Sequence, residues 1–170
     1  MPRRSSILRF AFLVLAPGLI NAQAPQPAAA PFLAITGDVA TPVTLKSEDL
    51  AKMPREKATV SEEGGAKVEY EGVPLREILK RAGAPLGDQL RGKALASYLV
   101  AKAQDGYQVV FAIGELDPAF ANEQILVADR RDGKPLSESQ GPLRIVCPND
   151  KTGARSVRML QTLEVVRLLK

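Results

Sequence analysis

The chain has 170 residues with 45% hydrophobic and 25% charged side chains, a balance that allows one globular domain. It contains no His and a single Cys, Cys147, which excludes His-based catalysis, His-bound or multi-cysteine metal sites, and an internal disulfide. The net charge of +4 is concentrated at one end: removing Arg3, Arg4 and Arg9 from the 23 basic residues leaves 20 against 19 acids, too even a balance to favour nucleic acid.

Residues 1–22 read as a secretory signal peptide. Arg3, Arg4 and Arg9 form a positive start, Phe10 to Ala16 a short apolar run, and Asn21-Ala22 a cleavage site. The run is too short to span a bilayer, so the mature chain is expected in the periplasm or secreted, not embedded in a membrane. Residues 23–31 form a Pro/Ala-rich linker, and the folded domain is expected over residues 32–170.

Within the domain, Leu33 to Thr36 and Val43 to Leu45 read as strands. Ser47 is expected to cap a short helix ended by Pro54. Lys57 to Ser61 and Ala66 to Glu71 flank Glu62-Glu63-Gly64-Gly65, a hairpin whose acids read as an exposed turn. Pro74 to Ala82 carries the clearest helical stripe, Leu75, Ile78, Leu79 and Ala82, with a Glu77–Arg81 pair on the wet face and Gly83 as the stop. Asp105-Gly106 joins strands Ser97 to Ala103 and Tyr107 to Ala112, and Asp132-Gly133 follows the strand Ile125 to Arg130. Leu143 to Cys147 and Leu160 to Leu168 complete the strands; in the latter, simple alternation puts Leu160, Thr162, Glu164 and Val166 on one face. The sum is an α+β domain, a β-rich mixed sheet with short helices.

Two constellations stand out. Cys147 alternates with Leu143 and Ile145 and reads as a buried small hydrophobe rather than a reactive thiol. The C-terminal run Arg144, Lys151, Arg155, Ser156 and Arg158 encloses Thr152-Gly153-Ala154, a small-residue loop fit to face an anion. Tyr107, beside the Asp105-Gly106 turn, is a candidate wall for such a pocket.

Several segments together resemble the molybdopterin-binding domain of the sulfite oxidase family. Gly72-Val73-Pro74-Leu75-Arg76 resembles its Gly-Val-Pro-Leu-Arg helix start, and Asp105-Gly106-Tyr107 its hairpin. Gly133-Lys134-Pro135-Leu136, Pro142-Leu143-Arg144-Ile145-Val146 and Gly153-Ala154-Arg155-Ser156-Val157-Arg158 match later family segments in the right order. The resemblance covers Gly72 to Val165. It implies a sulfite-oxidase molybdopterin-domain-like fold, molybdopterin as cofactor, contacts from Lys151, Arg155, Ser156 and Arg158, and a redox or membrane partner protein; Arg144 and the Tyr107 wall complete the expected cofactor-binding set. The family's molybdenum-binding Cys precedes the Gly-Val-Pro-Leu-Arg helix, and Lys57 to Glu71 holds none. The family's cofactor-contacting His is missing, its Lys is Arg158, and the Trp that follows is Met159. Two readings follow: an exported cofactor-holding relative of molybdopterin oxidoreductases without sulfite-oxidase-type catalysis, or a non-catalytic binding or partner module that binds no metal cofactor.

Overall fold

The computed structural model describes residues 32–168, apart from Glu63 and Asn122. The signal peptide and linker expectations lie outside the described residues. The elements in chain order are β1 (Phe32–Gly37), β2 (Val43–Lys46), α1 (Ser47–Ala51), β3 (Glu56–Ser61), β4 (Lys67–Pro74), α2 (Leu75–Arg81), β5 (Ser97–Ala103), β6 (Gln108–Ala112), β7 (Leu126–Arg131), β8 (Lys134–Pro135), β9 (Arg144–Val146) and β10 (Leu160–Arg167). They form two sheets. The first runs β2-β1-β10-β5-β6, with β1 and β10 parallel and the other pairs antiparallel. The second runs β3-β4-β7-β8, with β9 also on β7.

The main core unites both sheets and α2. Leu33, Ile35, Leu99, Phe111, Leu163 and Val165 come from the first sheet, and Val73, Val127 and Ile145 from the second. The α2 stripe Leu75, Ile78, Leu79 and Ala82 is buried in the same cluster, as its spacing predicts. A smaller cluster covers the other face of the second sheet, with Ala58, Val68, Tyr70, Leu126, Ala128 and Val146. Leu126 and Ala128 therefore face one cluster and Val127 the other. This two-sided burial explains why β7 is apolar without alternation. None of the described helices is long and apolar enough to cross a membrane.

Three local expectations need correction. Pro74 closes β4 with φ −53° and ψ 130°, and the helix starts at Leu75, whose N–H donates to the Ile125 carbonyl. Glu77 pairs with Lys80 at 3.5 Å and Arg76 at 3.7 Å instead of Arg81. Lys46 rather than Ser47 occupies the N-cap position before α1, and its N–H donates to the Asp49 carboxylate.

The face assignment of β10 also differs. A bulge between Leu160 and Thr162 breaks the alternation, so Leu160 joins Leu163 and Val165 in the core. That bulge matters because it follows Met159, which lies in the site described next.

Candidate functional site

The site is built where the ends of the two sheets meet. After β9, Pro148 stops the strand and the chain turns through a short 3-10 segment, Gly153–Arg155, before entering β10. The Ile145 N–H donates to the Val157 carbonyl and the Leu160 N–H to the Leu143 carbonyl, which holds the loop shut at its base. Across from it, the β5–β6 turn brings in Asp105 and Tyr107. Gly106 takes φ +88° there, and the Asp105 carboxylate accepts from the Tyr107 N–H at 3.0 Å. The Tyr107 hydroxyl then donates to the Ala154 carbonyl at 2.7 Å and ties the two loops together.

Between them lies a cleft of about 730 Å³ lined by Asp105, Tyr107, Ser139, Arg144, Ser156, Arg158 and Met159, with Thr152, Gly153 and Ala154 along the loop. Met159 holds φ +48°, a left-handed conformation that is costly for a side chain of this kind. Two bonds keep it there: its N–H donates to the Gln140 carbonyl, and its carbonyl accepts from the Gln104 N–H.

Arg144 forms the floor. Its guanidinium carbon lies 5.0 Å from the centre of the Tyr70 ring. Its Nη1 donates to the Tyr70 hydroxyl at 2.8 Å and to Gln140 Oε1 at 3.2 Å. Its Nε is buried without an acceptor among the described residues. Tyr70 is fully buried, and its hydroxyl donates to Glu62 at 2.7 Å while Arg131 donates to the other Glu62 oxygen at 2.8 Å. Burial is the first cause holding the Tyr70 proton above the ordinary phenol range, and the bond to Glu62 adds to it. Glu62 is thus an anchoring carboxylate beneath the cleft, not the free turn acid its Gly-Gly neighbours implied; the hairpin folds it back over Tyr70.

Of the six residues expected at the site, Tyr107, Arg144, Ser156 and Arg158 line the cleft together. Arg158 is exposed and makes no ion pair with a described residue. Ser156 Oγ accepts from the Cys147 N–H at 3.2 Å, which leaves its own proton for a ligand. Lys151 and Arg155 do not line it. Lys151 is exposed outside the cleft. Arg155 is consumed by structure: Nε and Nη2 donate to Asp150 at 2.8 and 2.7 Å, Nη1 to Glu115 at 2.8 Å, and the group lies 5.3 Å from the Phe111 ring centre. These carboxylates hold its proton even more firmly than usual. Arg155 therefore braces the loop against the β6 end of the first sheet.

Cys147 is in the main core, with Leu143 and Ile145 beside it, as the alternation predicts. Burial pushes its thiol up to about 12, with Asp150 adding to the shift. Among the described residues no group of His, Cys, Asp or Glu is placed to hold a metal. Ser139, Met159 and the Glu62–Tyr70 support are the site residues that sequence reasoning did not select. Ser139 reaches the cleft from the β8–β9 connection, and nothing in its sequence neighbourhood signals it.

The architecture has known counterparts. Residues 22–168 match the model of the oxidoreductase molybdopterin binding domain. The chain belongs to that family. Its fold is that of the sulfite oxidase molybdopterin domain. Among solved structures it is similar to the sulfane dehydrogenase SoxCD from Paracoccus pantotrophus, with a TM-score of 0.62 and 24% identity. The match covers 79% of this chain and 38% of that one, so this member of the family spans well under half of the matched protein. No curated protein matches it significantly.

The residues present fit the family's cofactor at one end only. The unpaired Nε of Arg144, the exposed Arg158 guanidinium and the hydroxyls of Ser139, Thr152 and Ser156 suit the phosphate of a molybdopterin. The metal end finds no thiolate, because the only Cys is protonated and packed in the core.

Proposed function

We propose that this protein is an exported domain that holds the anionic, phosphate-bearing end of a molybdopterin in the cleft and does not itself carry sulfite-oxidase-type catalysis. One observation supports this reading above the others. The cleft keeps two arginines and three hydroxyl donors, while the chain's single thiol lies in the core. The cofactor, when bound, supplies redox-active metal chemistry. This chain's residues would bind its polar end in the cleft and offer the metal no protein sulfur.

Export to the periplasm or to the medium is proposed from residues 1–22, and a redox or membrane partner protein is proposed with it. The missing thiolate also favours a second reading, a binding or partner module with no metal cofactor.

The deciding experiment is the metal and pterin content of the chain purified from the periplasm of a molybdenum-fed host. Mass-spectrometric metal analysis would be run beside pterin fluorescence after oxidation. About one pterin per chain is the expected result of the first reading. Folded protein free of pterin and metal would leave only the second.

A further inference from the structure

An open sheet ends in strands whose outward N–H and C=O groups have no neighbour, and such an edge pairs with another chain unless charge, proline or a bulge blunts it. Among the described residues the edge strands are β2 and β6 in the first sheet and β3, β8 and β9 in the second. Four of the five carry charge: Lys46 in β2, Glu56 and Lys57 in β3, Lys134 in β8 and Arg144 in β9. The exception is β6, Gln-Val-Val-Phe-Ala. It holds no charge and no Pro, and it pairs with β5 in unbroken register from Gln108 to Ala112.

The hydrogen-bond pattern says which groups are left over. The Ala103 N–H donates to the Tyr107 carbonyl. Alternation then turns the N–H and C=O of Val109 and Phe111 toward Ala101 and Leu99 of β5, and those of Gln108, Val110 and Ala112 toward the open side. Ala112 fits this pattern, because its N–H leaves the sheet and donates to Glu115 at 2.9 Å. Gln108 and Val110 have no such cap among the described residues. The Val110 side chain is 55% exposed on the outer face, next to Val100 of β5. On the inner face Val109 packs against the main core.

We infer that β6 is a self-association edge: two copies of this chain pair β6 with β6, antiparallel, about a two-fold axis through Val109. In that register Gln108 of each copy faces Val110 of the other, and each such pair exchanges both N–H···O=C bonds. Every free group of Gln108 and Val110 is then used. Centring on Val110 instead would set Gln108 against Ala112, whose N–H is already taken by Glu115. The cap therefore selects the register, and Gly106, which has no side chain, stands opposite Ala112 where the Glu115 carboxylate needs room.

The occupant is a second copy because the edge is complementary to itself. Identical chains carry identical charges, and like charges facing across a strand pair oppose association. Here the strand has none. Lys102, beside Gln108 on β5, is already bonded to Glu164 at 2.5 Å, and Glu115 to Arg155 at 2.8 Å. Pairing also joins the Val100–Val110 stripes of the two copies on the outer face. The contact is narrow, so the dimer is a weak, reversible one. It does not depend on what the cleft holds.

The test is sedimentation velocity of the purified full-length chain over about two decades of concentration. A monomer–dimer equilibrium is expected. Val110→Lys puts a charge at the seam, and Val110→Pro removes only the N–H that faces the open side; each is expected to weaken dimerisation about tenfold or more, with far-UV circular dichroism unchanged. Thr44→Lys, on the opposite edge of the same sheet, is expected to leave it unchanged. Val109→Cys reads the register. Its Cα would lie about 4.5 Å from its copy across the axis, within disulfide range, so diamide is expected to give a covalent dimer while buried Cys147 stays unreacted. Three results would overturn the inference: a monomer at every concentration, a dimer that both Val110 variants leave intact, or a Val109→Cys chain that diamide does not cross-link.

Discussion

Replacing Tyr70 with Phe removes one oxygen and disturbs two charged groups. The hydroxyl donates to Glu62 and accepts from Arg144, at 2.7 and 2.8 Å. A hydrogen bond to a charged group contributes about 1.5–3 kcal/mol when its loss leaves the partner without water. The two sides differ in that respect. The Glu62 side chain is 28% exposed, so water replaces the lost donor and most of that cost is recovered. The Arg144 side chain is 13% exposed, and its Nη1 keeps the longer bond to Gln140 and a 4.0 Å ion pair with Glu62. The Phe ring still fills the smaller core cluster and still stacks under the guanidinium, so no cavity term is added. The loss should therefore be close to one charged hydrogen bond, about 2 kcal/mol.

Urea unfolding followed by far-UV circular dichroism would read this as a lower midpoint at unchanged slope. In a thermal scan the same loss corresponds to a fall in Tm of about 6 °C for a domain of this size. A stability within about 0.5 kcal/mol of wild type would refute the reasoning, because it would mean that water already serves Arg144 and that Tyr70 holds nothing.

Other outcomes are expected elsewhere in the fold. Gly72 lies at the β4–β7 irregularity, and a Cβ there would sit 2.1 Å from the Val127 carbonyl oxygen. Gly72→Ala must push the central pair of the second sheet apart and should cost about 3 kcal/mol or prevent soluble expression; near-wild-type stability would show that the pair is not as close as described. Cys147 should resist a thiol reagent such as DTNB at pH 8 in the native protein and react once urea unfolds it, since the buried thiol is held up near about 12; prompt native labelling would place it outside the core.

The bond from Arg55 holds the Glu71 carboxyl below its ordinary range, so this pair adds stability above the ordinary carboxylate range and loses it as pH falls through the depressed value. The stability gap between wild type and Arg55→Gln, measured in urea, should therefore shrink from pH 6 to pH 3. Arg55 also donates to Asp129 at 2.6 Å, so a gap that is constant or widens on acidification would remove both carboxylates from that role.

What the residues alone determined is the part of the protein governed by neighbours in sequence. The α2 stripe is a matter of 3.6-residue spacing. The turns at Gly106 and Asp132-Gly133 follow from backbone freedom at φ > 0, which both glycines and Asp132 adopt. The burial of Cys147 followed from strict alternation with Leu143 and Ile145. The family could be recognised because five short segments kept their order, and each is a local pattern. Tyr107, Arg144, Ser156 and Arg158 were legible for the same reason.

Tertiary structure decided which charges are free. Arg155 and Arg158 are three residues apart and alike in sequence, yet Glu115, 40 positions from Arg155, spends one of them while the other lines the cleft. Glu62 looked like a turn acid because its real partners, Arg131 and Tyr70, are brought to it by strand pairing. The β10 bulge turned Leu160 into the core, and Met159 took a left-handed conformation that its own side chain disfavours. The Arg155–Glu115 and Arg131–Glu62 bonds, and the bonds of Met159 to Gln104 and Gln140, join residues far apart along the chain. Such pairings depend on register and packing, and composition and periodicity carry no record of them.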